Sequence, residues 1–380
     1  MPQDTLEQRA VLWTQALVRV PSVSGSPACL QVLETARDLI ESTGVEADIR
    51  ILFPEAPNPV LLARTGRGKT GVPELMLSGH VDVVPPAGME DPWSARIEGD
   101  RMHGRGTTDM KSGAACALTT FCEAARQGVD GVLWLILSTD EETAAQGVVR
   151  ALGCPDAPRP QLCVICEPTG LCVRSAHRGD CWIRVDFTGK SAHSSRPHLG
   201  INAIDAACAL MNGIQAIWLD PKMSWSAKAT QIHADSGATN TVPDLARITY
   251  DCRAQTNELM DDLLAQIRRV AAGTAAAYGA EAEVILRDQS PACLYDDDFV
   301  AEVAEAIKET AGPDQLAPDC GGGGEDFHNY KLARPEIKAA YFGVGVGATP
   351  GLHASTMHFD DTLLPLGVAV FENVVLRHLG

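Results

Sequence analysis

The order of apolar and polar positions divides the chain into segments with helical and with β periodicity. Residues 3–45 have the spacing of amphipathic helices, interrupted by VPSVSGSP, and residues 46–66 and 73–85 alternate apolar stretches with turn residues as β-strands do. Three apolar runs, LMLSGH, GVLWLILS and QLCVIC, stop where polar or acidic residues begin. In α/β folds ligands bind outside the carboxyl ends of parallel strands, so these run ends predict an α/β domain with a site at one sheet edge.

A second pattern begins near residue 178. RGDCWIRVDFTGKSAHSS predicts a strand and a loop, and GINAIDAACALMNGIQAI predicts a helix. Strands near 229–235 and 245–253 and a helix from about 256 to 278 follow. This β-α-β-β-α-β-like order predicts an inserted α+β domain.

From about residue 292 the chain returns to the first domain. The returning part contains two Gly-rich segments, GGGGEDF and GVGVGATPGLHAS. We therefore expect a discontinuous catalytic domain of residues 1–178 and 292–380, interrupted by a second domain of residues 179–291.

Composition narrows the class of protein. With 380 residues, 45% of them hydrophobic, the chain is long enough for two domains with substantial cores. Its formal net charge of −18 argues against binding to nucleic acid or to an anionic membrane. The N-terminal MPQDTLEQRAVLWTQALVRV lacks the pattern of a signal peptide, and the run at 131–138 is too short to span a bilayer. We expect a soluble, cytoplasmic protein.

The chain contains twelve cysteines. Disulfide frameworks are typical of short secreted chains, so here we expect reduced and mostly buried cysteines. Cys163 and Cys166 form a lone C-x-x-C inside an apolar run, and a structural zinc would need a second such pair. We interpret both as packing residues.

Side chains of the metal-binding type stand in five local motifs. They are His80 in GHVDVVP, Asp109 in GRGTTDMKSG, Glu142 in STDEET, Glu167 in CEPT and His353 in GLHAS. Imidazole and carboxylate suit zinc or a neighbouring divalent metal, and two such ions about 3.5–4 Å apart can act together in amide hydrolysis. A carboxylate has two oxygens, so Asp109 is the economical bridge between two ions.

Two further carboxylates fit roles beside such ions. Glu141 and Glu142 are adjacent and their side chains diverge, so one can coordinate while the other acts as general base. Asp82 lies two residues after His80 and can hold the ring nitrogen that does not bind metal.

Each motif also has an ordinary explanation when it is taken alone. His80 and Asp82 can be a satisfied polar pair at a strand end, Asp109 can be a helix N-cap, and the acidic run at 140–142 can be a solvated loop. Glu167 alone is a weak ligand candidate. Only the combination favours a dinuclear hydrolase.

In chain order, the motifs GHVDVVP, GRGTTDMKSG, DEE, CEPT, GKSAHSS, TNTVP, DCR and LHAS resemble the di-zinc amidohydrolase family of acetylornithine deacetylase, succinyl-diaminopimelate desuccinylase, glutamate carboxypeptidase and aminoacylase. The resemblance spans essentially the whole chain. It implies a zinc-peptidase-like α/β catalytic domain with a mostly parallel central sheet, and a smaller α+β, ferredoxin-like lid that commonly mediates dimerisation. It also implies that His80 and Glu167 bind separate metals, that Asp109 bridges them, that Glu142 and His353 complete the ligand sets, and that Glu141 is the general base.

Residues of the implied lid gain a role only through this resemblance. His193 in SAHSS resembles the histidine that, in dimeric relatives, reaches the partner's site and donates to the oxyanion. Asn240 in TNTVP resembles a substrate contact, and Arg253 in DCR resembles a clamp for the substrate carboxylate. Taken alone, His193 is a loop histidine and Arg253 a solvated strand-end arginine.

The substrate is less well defined than the reaction. GGGGEDF is atypical for the acetylornithine branch and is closer to a loop of the aminoacyl-conjugate hydrolases, although the cysteine ligand usual in that branch is absent. Glu325 and Asp326 can bind a cationic substrate group, or they can be a solvated pair at a helix start.

We expect an N-acetylornithine-deacetylase-like homodimer of arginine biosynthesis that uses two zinc, cobalt or manganese ions. Desuccinylase, aminoacylase, dipeptidase and glutamate carboxypeptidase activities are alternatives within the same family. A binding protein for metal or amino acid, without catalytic activity, is the remote alternative from another class.

Overall fold

The computed structural model describes residues 6–143, 145–167, 169–170, 172–312, 323–342 and 351–380. Parts of the two Gly-rich segments, residues 321–322 and 343–350, lie outside the described residues. The helices are α1 (Leu6–Val18), α2 (Ala28–Ser42), α3 (Ser112–Gln127), α4 (Gln146–Leu152), α5 (Ala203–Ile214), α6 (Asn257–Tyr278), α7 (Asp297–Ala311), α8 (Phe327–Ala333) and α9 (Leu364–Leu379). The strands are β1 (Asp48–Leu52), β2 (Val60–Thr65), β3 (Glu74–His80), β4 (Arg96–Glu98), β5 (Arg101–His103), β6 (Val132–Ser138), β7 (Leu162–Ile165), β8 (Val173–Arg174), β9 (Ala176–His177), β10 (Gly179–Thr188), β11 (Ala192–His193), β12 (Trp225–Ala234), β13 (Thr241–Val242), β14 (Leu245–Ala254), β15 (Glu281–Ser290), β16 (Cys293–Leu294), β17 (Lys338–Phe342) and β18 (His358–Asp360).

Two compact units make up the chain. The first comprises Met1–Ser175, Tyr295–Asp319 and Glu325–Gly380, and the second comprises Ala176–Leu294 and Cys320–Gly324. The second unit is therefore inserted into the sequence of the first.

A mixed sheet forms the centre of the first unit. Its strand order is β1-β2-β6-β3-β7-β17-β8, and the four central strands β6, β3, β7 and β17 are parallel. The outer strands β1, β2 and β8 pair antiparallel. This arrangement confirms the predicted α/β fold with a mostly parallel central sheet.

Helix α3 packs closely against this sheet because its first turns are built from small residues. Its buried stretch includes Gly113, Ala114, Ala115 and Ala117. A Cβ atom on Gly113 would lie 1.9 Å from the carbonyl oxygen of Cys166, so only glycine allows this approach to the end of β7. The glycine of the DMKSG motif thus positions the loop that carries Asp109.

The C-terminal helix is the one described segment that is long and apolar enough to cross a membrane. This segment, Asp361–Leu379, has a mean hydropathy of 1.3. Val368, Phe371 and Val375 on it are buried, and α9 contacts α1, α3 and α7 of the same unit. Such burial is typical of a core helix.

The second unit is an antiparallel sheet with helices on one face. Its strand order is β12-β14-β10-β15, and the chain order of its elements is β10-α5-β12-β14-α6-β15. In β10 the residues Cys181, Ile183, Val185 and Phe187 are fully buried in a core shared with α5 and α6. The alternate residues of β10 lie on the other, open face. The predicted β-α-β-β-α-β order of an α+β domain is confirmed.

No disulfide links the cysteines that the structure describes. Cys163 and Cys166 are buried in and just after β7, as the packing interpretation expects. Burial raises the pKa of Cys166 well above its ordinary value, which keeps the thiol protonated and unreactive.

Candidate functional site

Three neighbouring parallel strands bring together the polar residues that follow the apolar runs of the sequence. Strand β3 lies between β6 and β7, and it ends on His80. The acidic run at 140–142 follows β6, and Glu167 follows β7. Because parallel strands point the same way, all these side chains collect at one sheet edge, where α/β folds bind ligands.

The geometry defines two groups of ligand atoms that share one residue. His80, Asp109 and Glu167 form the first group, and Asp109, Glu142 and His353 form the second. In the first, His80 Nε2 lies 3.2 Å from Asp109 Oδ1 and 3.2 Å from Glu167 Oε1. In the second, His353 Nε2 lies 3.2 Å from Asp109 Oδ2 and 3.2 Å from Glu142 Oε2.

Asp109 directs one carboxylate oxygen to each group. It lies in a turn, Thr107–Lys111, that precedes α3, and its peptide bond to Met110 is cis. Helix α3 has no side-chain cap. The alternative that Asp109 caps a helix is therefore wrong.

The structure also corrects the expected division of ligands. His80 and Glu167 stand in one group, whereas the resemblance implied separate metals for them. The reason is topological, since β3 and β7 are adjacent and parallel and their carboxyl ends come within side-chain reach.

Asp82 holds two parts of this centre in position, the ring of His80 and the backbone of the acidic pair. Its Oδ1 lies 3.2 Å from His80 Nδ1, so that Nε2 faces Asp109 and Glu167. The backbone N–H groups of Glu141 and Glu142 both donate to its carboxylate, each at 3.3 Å. One buried carboxylate thus orients a histidine and the backbone of the acidic pair.

The adjacent glutamates diverge as expected. Glu142 Oε2 lies near His353, whereas Glu141 Oε2 lies 3.7 Å from His80 Nε2. Asp140 is buried and accepts hydrogen bonds from Asn58 Nδ2 at 2.8 Å and from the Gly147 N–H at 2.9 Å. The solvated-loop alternative for the acidic run is therefore wrong.

Burial and neighbouring charges shift the pKa values of the ionisable side chains in this centre. Burial, reinforced by Glu167 and opposed by His80, raises the pKa of Glu141 well above its ordinary value. Burial raises the pKa of Glu167 to about 7, again against His80. Hydrogen bonds to Asp109 and Glu142 raise the pKa of His353 to about 10. Such shifts show that the fold concentrates negative charge here.

The donor set fits divalent metal ions. With Nδ1–H of His80 held by Asp82, the lone pair of Nε2 faces carboxylate oxygens of Asp109 and Glu167. Glu167 Oε1 is buried and makes no hydrogen bond to any described group. Converging lone pairs of this kind need a cation, and nitrogen with oxygen donors suits zinc, cobalt or manganese.

Glu325 and Asp326, just before α8, belong to the same unit. Each is only 3% exposed, so the solvated helix-start alternative is wrong. Tyr341 Oη donates to Glu325 Oε2 at 3.5 Å. Burial raises the pKa of Glu325 well above its ordinary value, and the nearby charges of Glu167, Asp326 and Glu141 add to the effect.

His193, Asn240 and Arg253 lie in the second unit. His193 is exposed, and its Nε2 is 3.5 Å from Asn240 Nδ2, because β11 pairs with β13. Ser195 contacts the other ring nitrogen of His193, with its Oγ at 2.9 Å from Nδ1. Arg253 is the last residue but one of β14 and makes a bidentate ion pair with Asp251, at 2.7 and 2.9 Å.

Sequence reasoning missed three residues that support the centre. Arg105 is buried, and its Nη2 donates to the carbonyl oxygen of His353 at 2.9 Å, which holds His353 in its left-handed backbone conformation, φ 64°. Lys111 is fully buried and donates to the carbonyl oxygens of Leu17 and Val20. Ser24 Oγ donates to Asp82 Oδ2 at 2.6 Å.

A signal for two of them was present in the sequence. Arg105 and Lys111 are cations that flank Asp109 in GRGTTDMKSG, and a charged residue in an otherwise small-residue segment indicates a specific partner. Ser24 had no signal, because its partner lies 58 residues away.

This strand-end centre, shared by two groups of ligand atoms, is of the dinuclear hydrolase class. Residues 76–377 match the profile of Peptidase family M20/M25/M40, and the chain belongs to that family. Succinyl-diaminopimelate desuccinylase of Gluconobacter oxydans (strain 621H) is 30% identical over 385 residues, covering 97% of this chain and 95% of that protein. An enzyme of the same name from Methylorubrum extorquens is 31% identical over 370 residues and covers 91% of each chain.

Solved structures show the same fold. A tripeptidase from Staphylococcus aureus subsp. aureus Mu50 superposes with a TM-score of 0.81 at 21% identity and covers 97% of both chains. YxeP of Bacillus subtilis, a dinuclear metal-binding peptidase of family M20, superposes with a TM-score of 0.73 at 20% identity and covers 98% of this chain and 99% of its own. The family identifies the chain as a metal-dependent hydrolase, as the sequence predicted.

Proposed function

We propose that this chain hydrolyses the amide bond of an N-acyl amino acid with two divalent metal ions. His80, Asp109 and Glu167 would hold one ion, and Asp109, Glu142 and His353 the other. The observation that supports this most directly is the shared Asp109, whose two oxygens face the two imidazoles. When bound, the ions would polarise the scissile carbonyl and make a water acidic enough to attack near neutral pH.

Glu141 is the general base of this proposal. Its carboxylate lies beside the first ligand group, with Oε2 3.7 Å from His80 Nε2. The raised pKa suits a group that takes a proton from the attacking water and returns it to the leaving amine. Asp82 acts through His80 and through the backbone of Glu141, so it is a positioning residue.

The second unit would supply substrate contacts and a dimer interface. His193 and Asn240 are adjacent and exposed, which suits donors that act on another protomer's substrate. Strand β12 is a ten-residue sheet edge with the exposed apolar side chain of Ile232, and an unpaired edge of this kind favours pairing with a second copy. An Ile232→Lys variant should sediment as a monomer if the edge forms the interface.

We propose N-succinyl-diaminopimelate as the first substrate candidate, because relatives covering nearly the whole chain carry that enzyme's name. N-acetylornithine is the second candidate. Glu325 and Asp326 add buried acidic groups beside the centre, which suits the free amino group that both candidate substrates carry. Lysine biosynthesis would be the pathway in the first case and arginine biosynthesis in the second. A cytoplasmic location is part of the proposal.

A panel of N-succinyl, N-acetyl and N-formyl amino acids and dipeptides tests this function. Metal-loaded enzyme is compared with a Glu141→Gln variant and with a Glu98→Gln variant, whose carboxylate is exposed. We expect turnover of an N-acyl diamino acid that Glu141→Gln loses and Glu98→Gln keeps. Turnover of dipeptides alone would replace the substrate class, and no turnover at full metal content would refute the proposal.

A further inference from the structure

The open face of the second unit's sheet carries Arg253 between two carboxylates. Residue 253 on β14 pairs with residue 180 on β10, directly across the ladder. Nε and Nη2 of Arg253 donate to Asp251, and Nη1 lies 3.3 Å from Asp180 Oδ2. The single positive charge of the guanidinium therefore faces two negative charges of the same unit.

Asp180 is held in this position from two further sides. Residue 290 on β15 pairs with residue 180 across the ladder on its other side. A Cβ atom on Gly324 would lie 2.0 Å from Asp180 Oδ2, so the backbone at Gly324 lies close over this carboxylate. Burial, together with the charges of Asp251 and Asp288, raises the pKa of Asp180 although Arg253 opposes this. Negative charge is thus already in excess around Arg253.

A substrate carboxylate would enter this environment as a third anion. With Asp180 and Asp251 in place, the three side chains carry a net charge of −1, which repels a further carboxylate. If Asp180 were neutral, Arg253 and Asp251 would balance, and the donors on Nη1 would be open to the substrate.

We propose that Asp180 is a specificity-determining residue, an internal competitor that occupies Arg253 and weakens the binding of substrates with a free carboxylate at this position. The proposal rests on the proposed function and takes Arg253 as the clamp for the substrate carboxylate that the family resemblance implies. It predicts that the charge of Asp180 raises KM for a substrate with a free carboxylate here and leaves KM for the uncharged carboxamide nearly unchanged.

The test compares an N-acyl amino acid with its carboxamide, which has the same shape without the charge. In an Asp180→Asn variant we expect KM for the acid to fall about fivefold, the usual size of a partly exposed charge effect, and KM for the amide to change less than about twofold. An Asp180→Glu variant keeps the charge and should keep the wild-type ratio of the two KM values. If the Asp180→Asn variant does not fold, an Asp180→Ser variant is measured in its place.

The same strand offers a matched control. Asp186 lies on the same face of β10, pairs across the ladder with residue 247, and binds Arg184 at 2.7 and 2.8 Å. Asp186→Asn removes an equivalent Asp–Arg pair that has no assigned substrate contact, so the acid-to-amide ratio of KM should not change. An equal effect of both variants would mean that the pairs act on structure alone and would refute the proposal.

An Arg253→Ala variant separates this proposal from the proposed function. If it raises KM for the acid while Asp180→Asn leaves KM unchanged, the clamp stands and the competitor role is refuted. If Arg253→Ala does not affect KM, the clamp itself fails and the competitor role fails with it. If the wild-type enzyme hydrolyses no N-acyl amino acid, the proposed function is refuted, and the competitor role of Asp180 is refuted with it.

Discussion

Carboxylates gather at one edge of the mixed sheet in the first unit, whereas those of the second unit are spread over an open sheet face beside arginines. In the first unit Asp82, Asp109 and Glu167 are all buried, and each has an oxygen 3.2 Å from a ring nitrogen of His80. In the second unit a groove of about 610 Å³ on the open face leaves charged pairs such as Arg184 and Asp186 in contact with water. Buried like charges need a cation, whereas hydrated pairs need only each other.

This contrast predicts that equal substitutions have very different effects in the two units. Asp109→Asn removes the one carboxylate shared by both ligand groups. We expect metal content to fall below two ions per chain and kcat/KM to fall more than about ten-thousandfold, because metal catalysis contributes several kcal/mol. Metal analysis and turnover numbers measure this, and a variant that keeps two ions would contradict the bridging role.

Glu141→Gln should separate catalysis from metal binding within the first unit. Loss of a general base lowers kcat by about a hundred- to ten-thousandfold. Metal content should remain that of the wild type, because Glu141 belongs to neither ligand group. Equal losses of metal and activity would instead identify Glu141 as a ligand.

Lys111→Met tests a fully buried cation two residues after Asp109 in the chain. Its Nζ donates to the carbonyl oxygens of Leu17 and Val20 at 3.0 and 2.9 Å, and these would lose their buried partner. We expect the free energy of unfolding in urea to fall by about 2–3 kcal/mol. Lys69→Met, at an exposed lysine, is the control and should change it by less than about 1 kcal/mol.

The metal-free protein should become less stable as pH rises from about 5 to 9. The folded-state pKa of Glu167 is raised to about 7, so its contribution is lost as pH rises from its ordinary 4.5 through 7. The charged form of His353 stabilises the folded state below pH 6.5, and this stability is lost as pH rises through about 10.

Thermal unfolding at a series of pH values measures this dependence. Saturation with metal should reduce it, because the ions replace the protons. His353→Ala should remove most of the decline above pH 7 in the metal-free protein. A melting temperature that is constant over this range would show that the carboxylates are not concentrated as described.

Asp186→Asn has the smallest expected effect. Its partners Arg184 and Arg247 lie on the open face and remain hydrated without it. The free energy of unfolding should fall by less than about 1 kcal/mol in urea. A loss as large as that of Lys111→Met would mean that this face is covered in the native assembly.

Much of this site was predictable because its donors follow apolar runs. His80 and Glu167 stand just where buried strands stop, and that pattern alone predicts a shared sheet edge. The supporting contacts were not predictable, since Ser24 meets Asp82, and Arg105 meets His353, only through folding. Periodicity describes neighbours along an element, whereas these pairs join elements that are distant in the chain.

The sequence by itself determined the order of helices and strands and the chemistry of the donors, because periodicity and residue type are local properties. Only the tertiary structure decided that His80 shares a group with Glu167, because this depends on β3 lying next to β7. Likewise, only the register of β10 with β14 places Asp180 opposite Arg253. Which charges meet depends on strand neighbours, and these are chosen by the packing of the whole unit.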